Sequence, residues 1–193
     1  MEKFGDGISW EVHVDQVLSE EKEICHKGEY QPMADAVALI KTDTPILQRR
    51  AIDCGSHIGR WVDTIQKYIP NYMGVDQSQK ALDVLKKNRP TVQTYHCMLW
   101  EIPFKEEFDF ACTIAVLQHN KHFEQEKIVP RIFDALKGGG VYLLSESTIF
   151  QDTATQRTHE NWISMIEKTG FKFIKSMHTN ELGFEDTYIF IKP

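Results

Sequence analysis

From Ile46 onward the chain alternates short apolar runs with longer segments whose apolar residues recur every three or four positions. The short runs, Arg50 to Asp53, Tyr72 to Val75, Gln93 to His96, Phe108 to Ile114 and Gly140 to Ser145, read as strands. Between them, Arg60 to Tyr68, Gln79 to Asn88 and about Gln125 to Leu136 read as helices. Such alternation marks a parallel sheet with helices on both faces, since strands buried on both sides lose the polar positions of a half-exposed strand. Trp61, Ile65 and Tyr68 give the first helix one apolar stripe; Ala81, Leu82, Leu85 and Asn88 do so less regularly in the second. Pro130 implies that the third helix starts near Ile128 or kinks there. Its end is clearer, because Lys137 is followed by three glycines.

After the fifth strand the alternation changes. A helix from about Glu160 to Lys168 stops at Gly170, and Phe171 to Met177 and Tyr188 to Ile191 follow as two strands joined by the turn-rich stretch His178 to Asp186. Strands with so short a connection pair antiparallel. Ahead of the sheet lie two further helix candidates: Ser19 to Cys25, where Ser19 is a cap and the glutamates suit a helix N-terminus, and Met33 to Lys41. With 193 residues and no repeat or linker, one domain over 1–193 is expected.

Composition narrows the class. A hydrophobic share of 41% with 26% charged residues is that of a globular protein, and no apolar run approaches the ~20 residues of a membrane span. Met1 to Asp15 has no basic stretch leading into an apolar core, so a cytoplasmic location is the expectation. Cys25, Cys54, Cys97 and Cys112 form no CxxC pair, which supports neither a metal site nor a disulfide framework. The net charge of −6 argues against nucleic acid as the main partner.

The chemistry concentrates where strands end. Asp53, Gly55 and Gly59 directly follow the first strand and lead into a helix, the place where doubly wound folds bind ligands. Glycine there lets a ligand approach the backbone, and the helix N-terminus offers free N–H groups. Asp76 ends the second strand about 20 residues later, where a carboxylate can accept two ribose hydroxyls; Asp76 or Ser78 can equally cap the next helix.

These residues resemble the class I S-adenosylmethionine-dependent methyltransferases, whose first motif reads approximately DxGxGxG and stands here as Asp53-Cys54-Gly55-Ser56-His57-Ile58-Gly59. His57 replaces the central glycine. The resemblance extends through Phe108 to Thr113 with Val116-Leu117-Gln118-His119, through Leu136-Lys137-Gly138-Gly139-Gly140, and through Gly170-Phe171 with the closing strands. It implies a doubly wound α/β fold: a seven-stranded, mostly parallel sheet with a closing antiparallel strand.

The resemblance implies S-adenosyl-L-methionine as cofactor and S-adenosyl-L-homocysteine as product. The corresponding cofactor-binding positions are Asp53, Gly55, Ser56, His57, Gly59, Asp76, Gln77, Met98, Leu99 and Ala115. Met98 falls where the family usually places an Asp for the adenine amino group, so Met98 packing, the Leu99 amide or Trp100 would have to serve, or all three are core. His119 is the candidate catalytic base at the rim of the fourth strand, ahead of His122 and His96; Glu146 and Trp162 are candidate pocket residues. Cys54, Cys97 and Cys112 fall near strand ends, so either cofactor shields them from alkylation or they are small apolar fillers. Residues 1–45 form an N-terminal helical lid segment in which Glu29 and Tyr30 are possible contacts. The expected partner is a small-molecule methyl acceptor, with oxygen or nitrogen as nucleophile. Alternatives are a protein or RNA acceptor, a non-catalytic cofactor binder, and a nicotinamide dehydrogenase, the last disfavoured by the closing strands and the missing GxGxxG.

Overall fold

The computed structural model describes residues 14–15, 30–147, 156–179 and 185–193. Seven strands form one sheet: β1 (Arg50–Cys54), β2 (Asn71–Asp76), β3 (Gln93–His96), β4 (Phe108–Ile114), β5 (Leu136–Ser147), β6 (Lys172–Thr179) and β7 (Glu185–Ile191). Their order is β3-β2-β1-β4-β5-β7-β6. The first five run parallel, and β7 inserts antiparallel between β5 and β6. The expected doubly wound sheet with its closing antiparallel strand is therefore present. The order of winding reverses between the parallel strands β1 and β4, the switch point where a doubly wound sheet opens a crevice above the C-terminal strand ends.

Among the described residues the sheet is covered by α1 (Gln31–Ala38), α2 (Val62–Gln66), α3 (Gln79–Asn88), α4 (His122–Ala135) and α5 (His159–Glu167). Side chains alternate across each strand, giving two cores. Ala51, Phe110, Val141 and Leu143 pack with α1, α2 and α3 on one face; Ile52, Ala111, Tyr142 and Leu144 pack with α4 and α5 on the other. All seven residues of β4 are buried, as a central parallel strand requires.

Several expectations need correction. The helix expected over Arg60 to Tyr68 has α-helical geometry only from Val62 to Gln66, although Trp61 and Ile65 are buried as foreseen. Asn88 is exposed and does not extend the stripe of α3. Ser78 caps α3, its hydroxyl accepting the Ala81 amide. Pro130 neither starts nor ends α4, which begins eight residues earlier, where the Glu124 carboxylate accepts the Lys121 amide. Burial of Ile128, Val129, Ile132 and Ala135 outweighs the one donor that proline lacks. The glycine run is not a gap between elements: β5 starts at Leu136, and its pairing with β4 shifts register between Phe108 and Phe110. No helix among the described residues is long and apolar enough to cross a membrane. The helix expected over Ser19 to Cys25 lies outside the described residues.

Candidate cofactor site at the C-terminal ends of β1, β2 and β4

The loop after β1 alternates its backbone hand. Gly55, His57 and Gly59 have φ of 87°, 47° and 90°, so His57 takes the left-handed conformation that a motif glycine would otherwise supply. Ser56, between them, is buried. At Gly55 a Cβ would lie 2.6 and 2.8 Å from the Val116 methyl carbons, so the residue must be glycine because the segment after β4 sits on it. Gly59 faces Leu85 of α3, whose Cδ1 would stand 2.4 Å from an added Cβ.

Asp76 ties this loop to β2. One carboxylate oxygen accepts the His57 amide at 2.8 Å, and the other accepts the Ser78 amide at 2.8 Å. Burial raises its pKa, opposed by hydrogen bonds from the amides of Ser78, His57 and Gln77. A carboxylate has about four acceptor sites, so beside these three amides about one is left for a ligand hydroxyl. The Gln77 carbonyl lies 2.9 Å from His96 Nε2, which accounts for that histidine.

Asp53 does something different. It is 2% exposed and faces across the sheet, accepting the Tyr72 hydroxyl at 2.7 Å and the Cys112 thiol at 3.5 Å. Burial pushes its carboxyl up to about 6 against the opposing pull of those bonds. Its side chain thus joins β1, β2 and β4 beneath the loop. Tyr72, which carried no functional signal in the sequence, is its main partner.

Beyond β4, Ala115 has φ 56° and its amide donates to the Ser145 carbonyl, turning the chain over the crevice. Leu117 to His119 form a single 3-10 turn. His119 is half-buried, and its Nε2 lies 3.3 Å from the Gln118 side-chain nitrogen. Glu146 is not an open pocket residue: 2% exposed, its two oxygens accept the Leu117 and Gln118 amides at 2.9 and 3.0 Å. Gln125 occupies the buried stripe of α4 with Ile128, Val129 and Ile132, and a glutamine in such a stripe is the one sequence signal that could have marked it. His122 Nε2 lies 2.9 Å from the Gln156 carbonyl.

Past β3, Met98 is half-buried, while Leu99 is 8% exposed with its side chain in the core. Trp100 is half-buried and packs partly against the same core, whereas Trp162 lies wholly within it at 2% exposure and is not an open pocket residue. The Cys54 and Cys112 thiols are fully buried with pKa values well above the ordinary thiol range, chiefly through burial and then through Asp53. Cys97 is half-buried and raised to about 11 by burial and by Glu101 and Asp76. Cys54 and Cys112 are thus fillers of a tight sheet, whereas Cys97 lies just past β3. Tyr30 is also interior: its hydroxyl lies 3.1 Å from both Ser145 Oγ and Thr187 Oγ1. Glu29 lies outside the described residues. Among the described residues no group of three or more His, Cys, Asp or Glu is placed to hold a metal ion.

A doubly wound sheet closed by an antiparallel strand, with a glycine loop bonded to an acid at the end of β2, defines a Rossmann-like ligand-binding class. Residues 51–140 match a family model described as a methyltransferase domain. That match supports a class I S-adenosylmethionine-dependent methyltransferase, and the fold is similar to that of such enzymes. Among curated proteins none matches the sequence. Solved structures similar to this chain include a TehB-like SAM-dependent methyltransferase from Corynebacterium glutamicum, at a TM-score of 0.74 and 14% identity over 94% of this chain and 99% of that one. Phosphoethanolamine N-methyltransferase 2 of Haemonchus contortus, in complex with S-adenosyl-L-methionine, matches at 0.70 and 18% identity over 94% of this chain and 56% of its own. Magnesium protoporphyrin IX methyltransferase of Synechocystis, with bound SAM, matches at 0.70 and 13% identity over 96% and 98%.

Proposed function

We propose that this chain binds S-adenosyl-L-methionine above β1 and β2 and transfers its methyl group to an oxygen or nitrogen of a small molecule. The observation that carries the reading is the Asp76 carboxylate bonded to the His57 amide, which joins a left-handed glycine loop to an acid at the next strand end. The donor set fits this group. Asp76 retains about one acceptor site for a ribose hydroxyl beside its three amides, the loop from Gly55 to Gly59 brings backbone close to a ligand, and Gln77, Met98, Leu99 and Ala115 lie beside the same strand ends. When bound, the sulfonium supplies an electrophilic methyl and leaves as a neutral thioether. The protein's part is chiefly positioning, with Asp76 and the loop orienting the ligand. His119, on the turn beyond β4, is the residue placed to take a proton where the acceptor must lose one.

A small acceptor is favoured by the acidic net charge of −6. Similar folds occur in proteins named for small molecules; the Haemonchus contortus enzyme is also seen with phosphomonomethylethanolamine and S-adenosylhomocysteine. Val14 is buried against Ile58 of the glycine loop and Ala81 of α3, and Asp15 pairs with Lys80, which puts these two residues beside the proposed cofactor site.

Thermal unfolding tests the cofactor. S-adenosylhomocysteine at 100 times its Kd is expected to stabilise the fold by about 2.7 kcal/mol, with no effect from NAD. Stabilisation by NAD alone would overturn the reading. Release of labelled methyl groups into small-molecule, protein and RNA fractions then separates the acceptor classes.

A further inference from the structure

Three elements distant in sequence converge on the turn beyond β4. From β5, Glu146 accepts the Leu117 and Gln118 amides, one on each carboxylate oxygen. From α4, the buried Gln125 donates to the Leu117 and Asn120 carbonyls at 2.9 and 2.8 Å. Just ahead of α5, Arg157 donates from Nε to Gln125 Oε1 at 2.6 Å and from Nη2 to the His122 carbonyl at 3.3 Å. Asn120 folds back to donate to the Val116 carbonyl at 2.8 Å. The amides and carbonyls of a five-residue segment are thereby gripped from both sides. That segment does two things for the site. It lays Val116 on Gly55, leaving no room for a Cβ, and it carries His119.

We propose that Glu146 is a positioning residue for the cofactor site. Its carboxylate, seconded by Gln125 and Arg157, fixes residues 116–120 so that Val116 roofs the glycine loop and His119 stands at the rim. A buried carboxylate at a strand end is costly unless each oxygen is bonded, and here both bonds go to successive amides of one turn. The end of β5 and the approach to α5 are thus coupled to a loop on β1 that neither touches through Glu146 or Arg157 itself. The inference rests on the methyltransferase reading for the identity of the ligand, but not for the geometry of the turn.

The test is Glu146→Gln, which keeps the size of the side chain but turns an NH2 toward one of the two amide donors. In the folded variant, hydrogen exchange at the Leu117 and Gln118 amides is expected to accelerate about tenfold, as for loss of one charge-assisted hydrogen bond. The calorimetric Kd for S-adenosylhomocysteine is expected to rise by a similar factor. Ile132→Val in the same core is the control: it lowers Tm and leaves that Kd unchanged. Should Glu146→Gln not fold, Gln125→Met, which frees the two carbonyls, carries the same expectations at smaller size. Unchanged exchange at both amides overturns the clamp. Faster exchange with unchanged Kd overturns its coupling to the cofactor loop. Failure of the unmodified chain to bind S-adenosylhomocysteine overturns the methyltransferase reading, while the exchange measurement still decides the clamp.

Discussion

Replacing Gly55 by alanine separates two reasons for a glycine at one position. The residue has φ 87°, and an added Cβ would sit 2.6 and 2.8 Å from the two Val116 methyl carbons. Left-handed backbone costs a residue with a Cβ roughly 1–2 kcal/mol, and forcing a methyl group into occupied space costs about 1–3 kcal/mol. Gly55→Ala should therefore lose about 2–5 kcal/mol, or roughly 5–15 °C in Tm for a chain of this length. Urea unfolding of Gly55→Ala, Val116→Ala and the double variant gives a closed cycle. Removing the Val116 methyls opens the space but leaves φ as it was, so the double variant should recover the steric part and keep the backbone part, a coupling of about 1–3 kcal/mol. Strict additivity, within about 0.5 kcal/mol, would refute the idea that the segment after β4 dictates this glycine. At Gly59 the nearest atom is the far end of Leu85, which can move. Gly59→Ala should then show chiefly the backbone cost.

Asp76→Asn removes charge from the acceptor of the His57 amide and should weaken S-adenosylhomocysteine binding by about 1.5–3 kcal/mol, roughly 10- to 150-fold, read by calorimetry. Asp53 gives a pH signature. Its folded pKa of about 6 lies above the unfolded value near 3.8, so the folded state holds the proton more tightly and unfolding stability falls as pH rises through that window. The fall attributable to this group is on the order of 3 kcal/mol. Denaturant unfolding of Asp53→Asn from pH 4 to 7 should lack it; an identical pH dependence in the two proteins would contradict the assignment. Alkylation of the native protein, mapped by mass spectrometry, should leave Cys54 and Cys112 untouched and modify Cys97 slowly, consistent with its thiol pKa of about 11. Labelling of Cys54 or Cys112 without unfolding would contradict their placement.

Much of the sheet was legible because it is written in local periodicity. The strands at Gln93 to His96 and Phe108 to Ile114 and the helix at Gln79 to Asn88 fall where the apolar pattern put them. Boundaries failed where tertiary packing outweighed a local signal, as at Pro130 within α4 and in the short α2. In the site, the loop and Asp76 were readable from spacing, and the structure brings them together through the His57 amide. Roles that depend on a side chain's direction were not. Glu146 reads as a pocket acid and proves to hold two amides; Trp162 reads as a lining residue and is core.

By itself the sequence determined the alternation of strands and helices, the order of the motif blocks, and hence the class of fold and the strand ends at which the cofactor site is proposed. Those properties depend on which residues neighbour each other along the chain. Only the tertiary structure decided that Asp53 faces Tyr72 and Cys112, that Val116 makes Gly55 obligatory, and that Glu146, Gln125 and Arg157 meet on one turn. Each of those depends on strand register and on the direction in which a side chain leaves its element, and residues as far apart as Leu117 and Glu146 become hydrogen-bonded neighbours only once the sheet has formed.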